Sequence, residues 1–308
     1  MLKRKAMRCL RRMGLRQTLP AERTIGLDEL EHQWRYRYSR PDPVVQLRRL
    51  LSRRRYRAFP DHAEVRPITT RRDRWIAYFV YLPEGKKLDA AHRYTLARLA
   101  ESDAGLLIVC AAPSQADIPT ELRDAADAMF WKALNGFDFS AYAIALHAVA
   151  KANPGADMLV LNDSTYGPFV PVDTLWSSMV WDLTGFTATG QVENHVQSYA
   201  FLLRQVTPER MAGLSVFSLK GAFDDYQGVV LGQETRLAAQ AARMMTVGAW
   251  WHADPTVTID PSLFAAIPLV EAGFPFLKRG LRTKHARIYS KDALGALLVD
   301  RGHPVDDI

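Results

Sequence analysis

WIAYFVYL (75–82), AGLLIVCAA (104–112) and ADMLVLNDS (156–164) are the stretches on which the fold of this chain turns. Each is an apolar run of strand length, rich in β-branched or aromatic residues, and the first two stop at Pro83 and Pro113. Helical patterns lie between them. AAHRYTLARLAES (90–102) offers Tyr94, Leu96 and Leu99 to a packed face, and IPTELRDAADAMF (118–130) opens with Pro119 and Thr120, good helix-start residues. A short strand near 129–133 leads to a turn at Asn135-Gly136 and then a helix that runs until Pro154-Gly155. Strands alternating with helices predict βαβ units and a largely parallel sheet. Ligands of such sheets bind outside the carboxyl ends of the strands. Those ends carry Leu82-Pro83, Ala112-Pro113-Ser114, Asn135-Gly136 and Asn162-Asp163-Ser164. Neither GxGxxG nor GxxxxGK[ST] occurs, so the familiar dinucleotide and P-loop fingerprints are absent.

The chain has 308 residues, 48% of them hydrophobic, which excludes wholesale disorder and allows a sizeable core. Its net charge of +7 is unevenly placed. Residues 1–74 hold 21 Lys/Arg against 8 Asp/Glu, whereas 75–308 hold 19 against 25. The division predicted is a basic N-terminal extension (1–73), helical in part, followed by a mildly acidic domain (74–308). Such asymmetry points to an anionic surface as partner, membrane or nucleic acid. Two cysteines, Cys9 and Cys110, make neither a disulfide framework nor a CxxC zinc site, and suit a reducing compartment.

No apolar run approaches the roughly 18 residues that span a bilayer. The first residues do show helical periodicity. Leu2, Ala6, Cys9, Leu10 and Met13 share a face, among Lys3, Arg4, Lys5, Arg8, Arg11, Arg12 and Arg16. A basic amphipathic helix of this kind lies in a membrane interface or docks, solvated, on the body. Farther on, Trp34, Tyr36 and Tyr38 alternate with Arg35, Arg37 and Ser39, and LRRLLSRRRYR (47–57) adds a second basic cluster. Aromatic and Arg interleaving suits lipid headgroups or single-stranded nucleic acid; the alternation equally suits a strand packed on one face.

NGFDFSAYAIAL (135–146), LVLNDSTYGPFVPVDTLW (159–176), WDLTGF (181–186) and HVQSYAFLL (195–203) follow one another in that order, and GQETRL (232–237), DPSLF (260–264) and GFPFLKRGL (273–281) come after them. Together these segments, over roughly residues 75–285, resemble the rhamnan synthesis protein F family, bacterial proteins that build rhamnose-containing surface polysaccharides. Two departures stand out: Ser140 takes the place of a family glycine, and Trp181-Asp182 stands where Asp-x-Trp is usual. The resemblance implies a Rossmann-like, inverting glycosyltransferase of GT-A type. It implies a nucleotide-sugar donor, deoxythymidine-diphosphate rhamnose for choice, and a growing, lipid-linked glycan as acceptor. It places the enzyme in the cytoplasm, at the inner face of the plasma membrane.

The same resemblance directs attention to particular residues. A GT-A enzyme keeps a DxD at the end of a buried strand, where the chain has Asn162-Asp163-Ser164. One carboxylate with substrate phosphates suffices for Mg²⁺, or Mn²⁺ in its place, so Asp163 is the candidate metal ligand; a metal-free site relying on basic groups, or a plain Asx-turn, is the other reading. Glu234, following Gly232 at the head of a helical run, is the candidate general base, or else a first-turn acid on the helix dipole. Asp182 is the second candidate base. Asn135 and Asp138 are expected over the nucleotide or sugar, or as caps. Ser164 and Tyr166 belong to the same donor loop. His195 and Gln197 are expected on one strand face with Tyr199, His195 bonding donor or acceptor or resting in the core. Lys278, with Arg279 beside it, would meet the diphosphate. The rival expectation is a transferase-like binding module without catalysis, scaffolding at a membrane or binding nucleic acid through the basic arm.

Overall fold

A computed structural model describes residues 23–304. In chain order the strands are β1 (Glu31–Arg35), β2 (Tyr56–Arg57), β3 (His62–Arg66), β4 (Arg74–Tyr81), β5 (Gly105–Ala111), β6 (Ala128–Lys132), β7 (Ala156–Asn162), β8 (Thr165–Tyr166), β9 (Leu183–Thr189), β10 (His195–Val196), β11 (Ala200–Val206), β12 (Ala222–Phe223), β13 (Val247–Ala253) and β14 (Leu277–Lys278). Ten of them form one sheet in the order β1-β13-β9-β11-β7-β4-β5-β6-β3, with β10 on β9. β6, β5, β4 and β7 pair in parallel, as do β9 and β13. β11 runs antiparallel to both β7 and β9, so those six strands all point one way. This is the mostly parallel α/β sheet, Rossmann-like in its alternation of strands and helices, that the sequence pattern predicts.

The near-continuous apolar character of the central strands follows from burial on both faces. Along β4, Ile76, Tyr78 and Val80 enter one core layer, while Trp75, Ala77 and Phe79 enter the other. β5 divides in the same way, Leu106, Ile108 and Cys110 against Leu107, Val109 and Ala111. Residue 105 must be small, because a Cβ there would sit 2.7 Å from the Trp75 ring. The helices Ala90–Ala100, Ala266–Glu271 and Lys291–Asp300 cover the first layer. Phe137–Ala152 and Thr235–Ala241 cover the second. The helix expected across 118–130 is shorter, Thr120–Ala125, because the chain is already turning into β6 and Asp127 accepts a hydrogen bond from Leu106 N at 2.8 Å.

The boundary near residue 74 is one of composition and not of structure. β1 pairs with β13 and β3 with β6, so residues 31–66 supply both outer strands of the sheet. Trp34 is fully buried and stacks on His252 with ring centroids 4.5 Å apart, while Tyr38 is exposed. The packed-strand reading of that aromatic run therefore holds for Trp34. The second basic cluster begins in the helix Pro43–Ser52 and passes through a 3-10 turn into β2. The expected amphipathic helix around Leu2–Arg16 lies outside the described residues. Among the described residues no helix is long and apolar enough to cross a membrane.

Candidate functional site

The carboxyl end of β7 divides two neighbouring side chains between two faces. Asn162 is buried; its Nδ2 donates to Tyr142 Oη at 2.8 Å and to Asp138 Oδ2 at 3.2 Å. Its Oδ1 accepts from Ser164 N at 3.0 Å and Ser164 Oγ at 2.6 Å, so the Asx-turn of this loop is made by Asn162 and not by Asp163. Asp163 turns the other way. Its Oδ2 accepts from Tyr81 N at 2.9 Å and from the fully buried His92 at 3.4 Å. His92 in turn bonds Asp89, and Asp89 pairs with Arg279, which lies over the Tyr166 ring at 5.5 Å. Burial pulls the His92 pKa down, but its bonds to Asp163 and Asp89 outweigh that and the net shift is upward. Asp89 is held low against its own burial by the bonds from His92.

A second set of groups gathers on the Asn162 side. Gly136 takes a left-handed conformation (φ 85°) that ends the turn and starts the Phe137–Ala152 helix, with Asp138 in its first turn. Burial, and next the charge of Glu234, push Asp138 up to about 6. Glu234 is not at the head of a helix as expected: the helical run begins at Tyr226, capped by Asp225, and Glu234 closes a π-helical turn inside it, Val230–Glu234, a local form that recurs at functional sites. Its Oε1 accepts from both Ser198 N and Ser198 Oγ at 3.0 Å. Tyr142 Oη donates to Ser198 O at 3.0 Å, which links the Glu234 anchor to Asn162. Lys278 arrives through the β14–β8 pairing, opposite Thr165, and its Nζ sits 3.8 Å above the centre of the Tyr199 ring. Burial lowers the Lys278 pKa, opposed by the charges of Asp260, Glu234 and Asp138.

Asp138, Asn162, Glu234 and Lys278, chosen from the sequence, are thus brought into one electrostatic cluster at the carboxyl ends of the parallel strands. Gln197 lies on its flank: Nε2 donates to Asp260 Oδ1 at 3.0 Å and Oε1 accepts from Thr187 at 2.6 Å. His195 is buried, bonded through Nδ1 to Glu193 O at 2.8 Å; burial lowers its pKa while Glu234 and Asp260 raise it. The single strand expected from His195 to Tyr199 is interrupted, since β10 holds only His195–Val196. Gln197 and Tyr199 still converge, both on Thr187 Oγ1. Asn135 is exposed, and its carbonyl accepts from the buried Lys132 Nζ at 2.7 Å. Burial takes Lys132 down to about 8.

Asp182 is not part of the cluster. It precedes β9, whose Leu183 is level with Leu203 and hence with Met158, at the start of β7. Four residues of strand separate that level from Asn162, about 13 Å. There Asp182 accepts from Thr246 N at 2.9 Å and Thr246 Oγ1 at 2.7 Å and faces Arg210, a tie between strand starts. It therefore stands apart from the other candidate residues.

Asp260, Ser198, Tyr142 and the Asp89–His92 pair were not among the candidate site residues. Asp260 had a local signal, the Asp-Pro step that begins the short helix Pro261–Phe264. His92 had none, because its role depends on Asp163, 71 residues away.

As for a metal, no group of three or more His, Cys, Asp or Glu side chains has metal-holding geometry among the described residues. Asp163 has both recorded donors on Oδ2, and one remaining carboxylate oxygen suits an ion completed by substrate phosphates.

Residues 106–305 match the family of rhamnan synthesis protein F. The chain belongs to that family. Membership places the chain in the broad class of nucleotide-sugar glycosyltransferases. A comparison with curated proteins finds no match. Among solved structures, a protein described as a nucleotide-diphospho-sugar transferase of Desulfovibrio desulfuricans G20 is 16% identical, with a TM-score of 0.35 over 74% of this chain and 98% of its own. HddC of Yersinia pseudotuberculosis is 11% identical, with a TM-score of 0.35 over 64% and 97%. TarS of S. aureus is 12% identical, with a TM-score of 0.34 over 61% and 37%. Likenesses this distant say nothing of the sugar or acceptor used by this family member.

Proposed function

We propose that this chain transfers rhamnose from a nucleoside-diphosphate donor to a growing, lipid-linked glycan, with inversion at the anomeric carbon. The observation that carries the reading is Glu234. Both recorded bonds fall on Oε1, which Ser198 pins through two donors, so Oε2 is the oxygen positioned to take a proton. In the step, the acceptor oxygen gives its proton to Glu234 as it bonds to the anomeric carbon. The bond from that carbon to the donor diphosphate breaks, and the nucleoside diphosphate leaves with the electron pair. Lys278 offsets negative charge building on the leaving group from a half-buried position, where a cation acts more strongly than in water. Asn162 and Asp138 orient the sugar. A divalent ion, Mg²⁺ or Mn²⁺, would be held chiefly by the substrate phosphates, with Asp163, which faces away from Asn162, as its one protein carboxylate.

The basic N-terminal residues place the enzyme on anionic lipid in this reading, at the cytoplasmic face of the plasma membrane. In support, the Pro43–Ser52 helix leaves Leu47, Leu50 and Leu51 exposed beside its arginines.

The test is release of nucleoside diphosphate from a panel of nucleotide sugars, with and without Mg²⁺ or Mn²⁺, for wild type, Glu234→Gln and Asp163→Asn. Glu234→Gln is expected to keep donor binding by calorimetry and to lose about 10²–10⁴-fold in turnover. Binding of no nucleotide sugar, or undiminished turnover in Glu234→Gln, would refute the assignment.

A further inference from the structure

A cavity of about 820 Å³ lies between the Pro43–Ser52 helix and the 231–240 segment. Its wall includes Arg40, Arg49, Arg53 and Arg236, together with Tyr38 and Leu50, and no carboxylate is among the described residues that line it. Nearby arginines show what neutralisation looks like here. Arg49 pairs with Glu193 and donates to Leu231 O at 2.9 Å, and Arg55 reaches Asp225 at 3.3 Å. Arg40, Arg53 and Arg236 make no ion pair or side-chain hydrogen bond among the described residues. Arg236 is half-buried; burial first, then the charges of Arg53 and Arg243, lower its pKa. Like charges gathered in a concave wall oppose folding and favour whatever anion fills it. The wall shares no residue with the Asp138–Glu234–Lys278 cluster, though Gly232 and Gln233 are in the π-helical turn that ends at Glu234. More than half of its lining residues come from 38–56, ahead of the family-matched segment.

We infer that this cavity is a second anion site, built to hold a diphosphate or phosphodiester group. Three unpaired guanidinium forks exceed what a single carboxylate would use, and they match the several acceptor oxygens of linked or esterified phosphate. The volume is that of a small-ligand site. Leu50, 58% exposed, sits in the same wall, so a phosphate carried on an apolar chain finds both charge and an apolar contact there. The phosphate comes from a soluble diphosphate or from a lipid headgroup, and the experiment separates the two.

The full chain is titrated with inorganic pyrophosphate by calorimetry, and its co-sedimentation is measured with vesicles of phosphatidylcholine, with and without phosphatidylglycerol. Arg53→Gln/Arg236→Gln removes two of the three unpaired charges, Leu50→Trp narrows the space with the charge intact, and Lys278→Met reports on the other cluster. Circular dichroism and thermal unfolding confirm that each variant folds. The site predicts pyrophosphate binding that weakens at least about tenfold in the double variant and in Leu50→Trp, whereas any binding that Lys278→Met removes belongs to the other cluster. Vesicle binding that needs phosphatidylglycerol, is lost in the same two variants and is displaced by pyrophosphate assigns the site to a headgroup. Binding to neither probe, or binding equal in wild type and the double variant, overturns the inference.

Discussion

Replacing Asp138 by Asn should change stability in a way that depends on pH. On folding, burial beside Glu234 raises the Asp138 pKa from 3.8 to about 6. The folded state therefore holds more protons than the unfolded state between those values, and stability falls as pH rises through that window. At neutral pH the penalty is about 3 kcal/mol at 1.36 kcal/mol per pKa unit, and residual contact with water trims it to about 2 kcal/mol. Asn removes the penalty but gives up one acceptor to the Asn162 and Phe139 N–H groups, which costs about 1 kcal/mol. The variant should thus be about 1 kcal/mol less stable than wild type near pH 4 and about 1 kcal/mol more stable at pH 7. Urea unfolding across that range, without donor, measures the difference directly. Adding Glu234→Gln should shrink the swing, since the Glu234 charge is its second cause. A wild-type-minus-variant difference that stays flat with pH, or that swings the other way, would refute the placement of Asp138 half-buried beside the Glu234 charge.

Asp182→Asn should leave turnover within about twofold and lower stability by about 1 kcal/mol above the carboxylate range, through its bonds to Thr246. Burial there is outweighed by those bonds and the Asp182 pKa is lowered, so its contribution is lost as pH falls through the folded value; a tenfold drop in kcat would restore it as a base. His92→Gln should cost about 2–4 kcal/mol, because it leaves Asp89 and Asp163 without their shared partner. As the His92 pKa is raised on folding, its stabilisation is complete below the unfolded imidazole value and fades as pH rises through the folded one; chemical unfolding from pH 5 to 9 would show this loss in wild type and not in the variant. Lys278→Met should weaken nucleotide-sugar binding about tenfold or more while pyrophosphate affinity at the arginine-lined cavity holds, and equal donor affinity by calorimetry would remove Lys278 from the site.

The central strands were legible because burial on both faces leaves nearly unbroken apolar runs, bounded here by Pro83, Pro113 and Asn162. Asp138, Asn162 and Glu234 were reached through the family resemblance; a helix start and a strand end marked the first two, whereas Glu234 lies inside a helical run and not at its head. Asp182 drew notice in the same way but lies apart in space, since a strand start and a strand end look alike until direction is known. The Asp89–His92–Asp163 link was beyond reach, being a contact between distant segments with no periodic trace. The edge strands β1 and β3 were missed because charge dominated their reading. Glu31, His32 and Arg35, like His62, Glu64 and Arg66, mark an exposed strand as readily as a solvated arm.

Those same edge strands limit how the basic region is best studied. A chain trimmed to begin at residue 74 would strip the hydrogen-bonding partners from one side of β13 and one side of β6. It would also unseat Trp34 from the His252 ring. Two rows of open backbone amides would then be available to other molecules, a template for sheet-to-sheet self-association. In the intact chain, charged side chains on β1 and β3 discourage that pairing. Loss of activity on such a deletion would report precipitation of the catalytic body as readily as loss of a membrane tether. Charge-reversing substitutions along 37–57, which leave both hems of the sheet in place, are the informative way to ask what the arm binds.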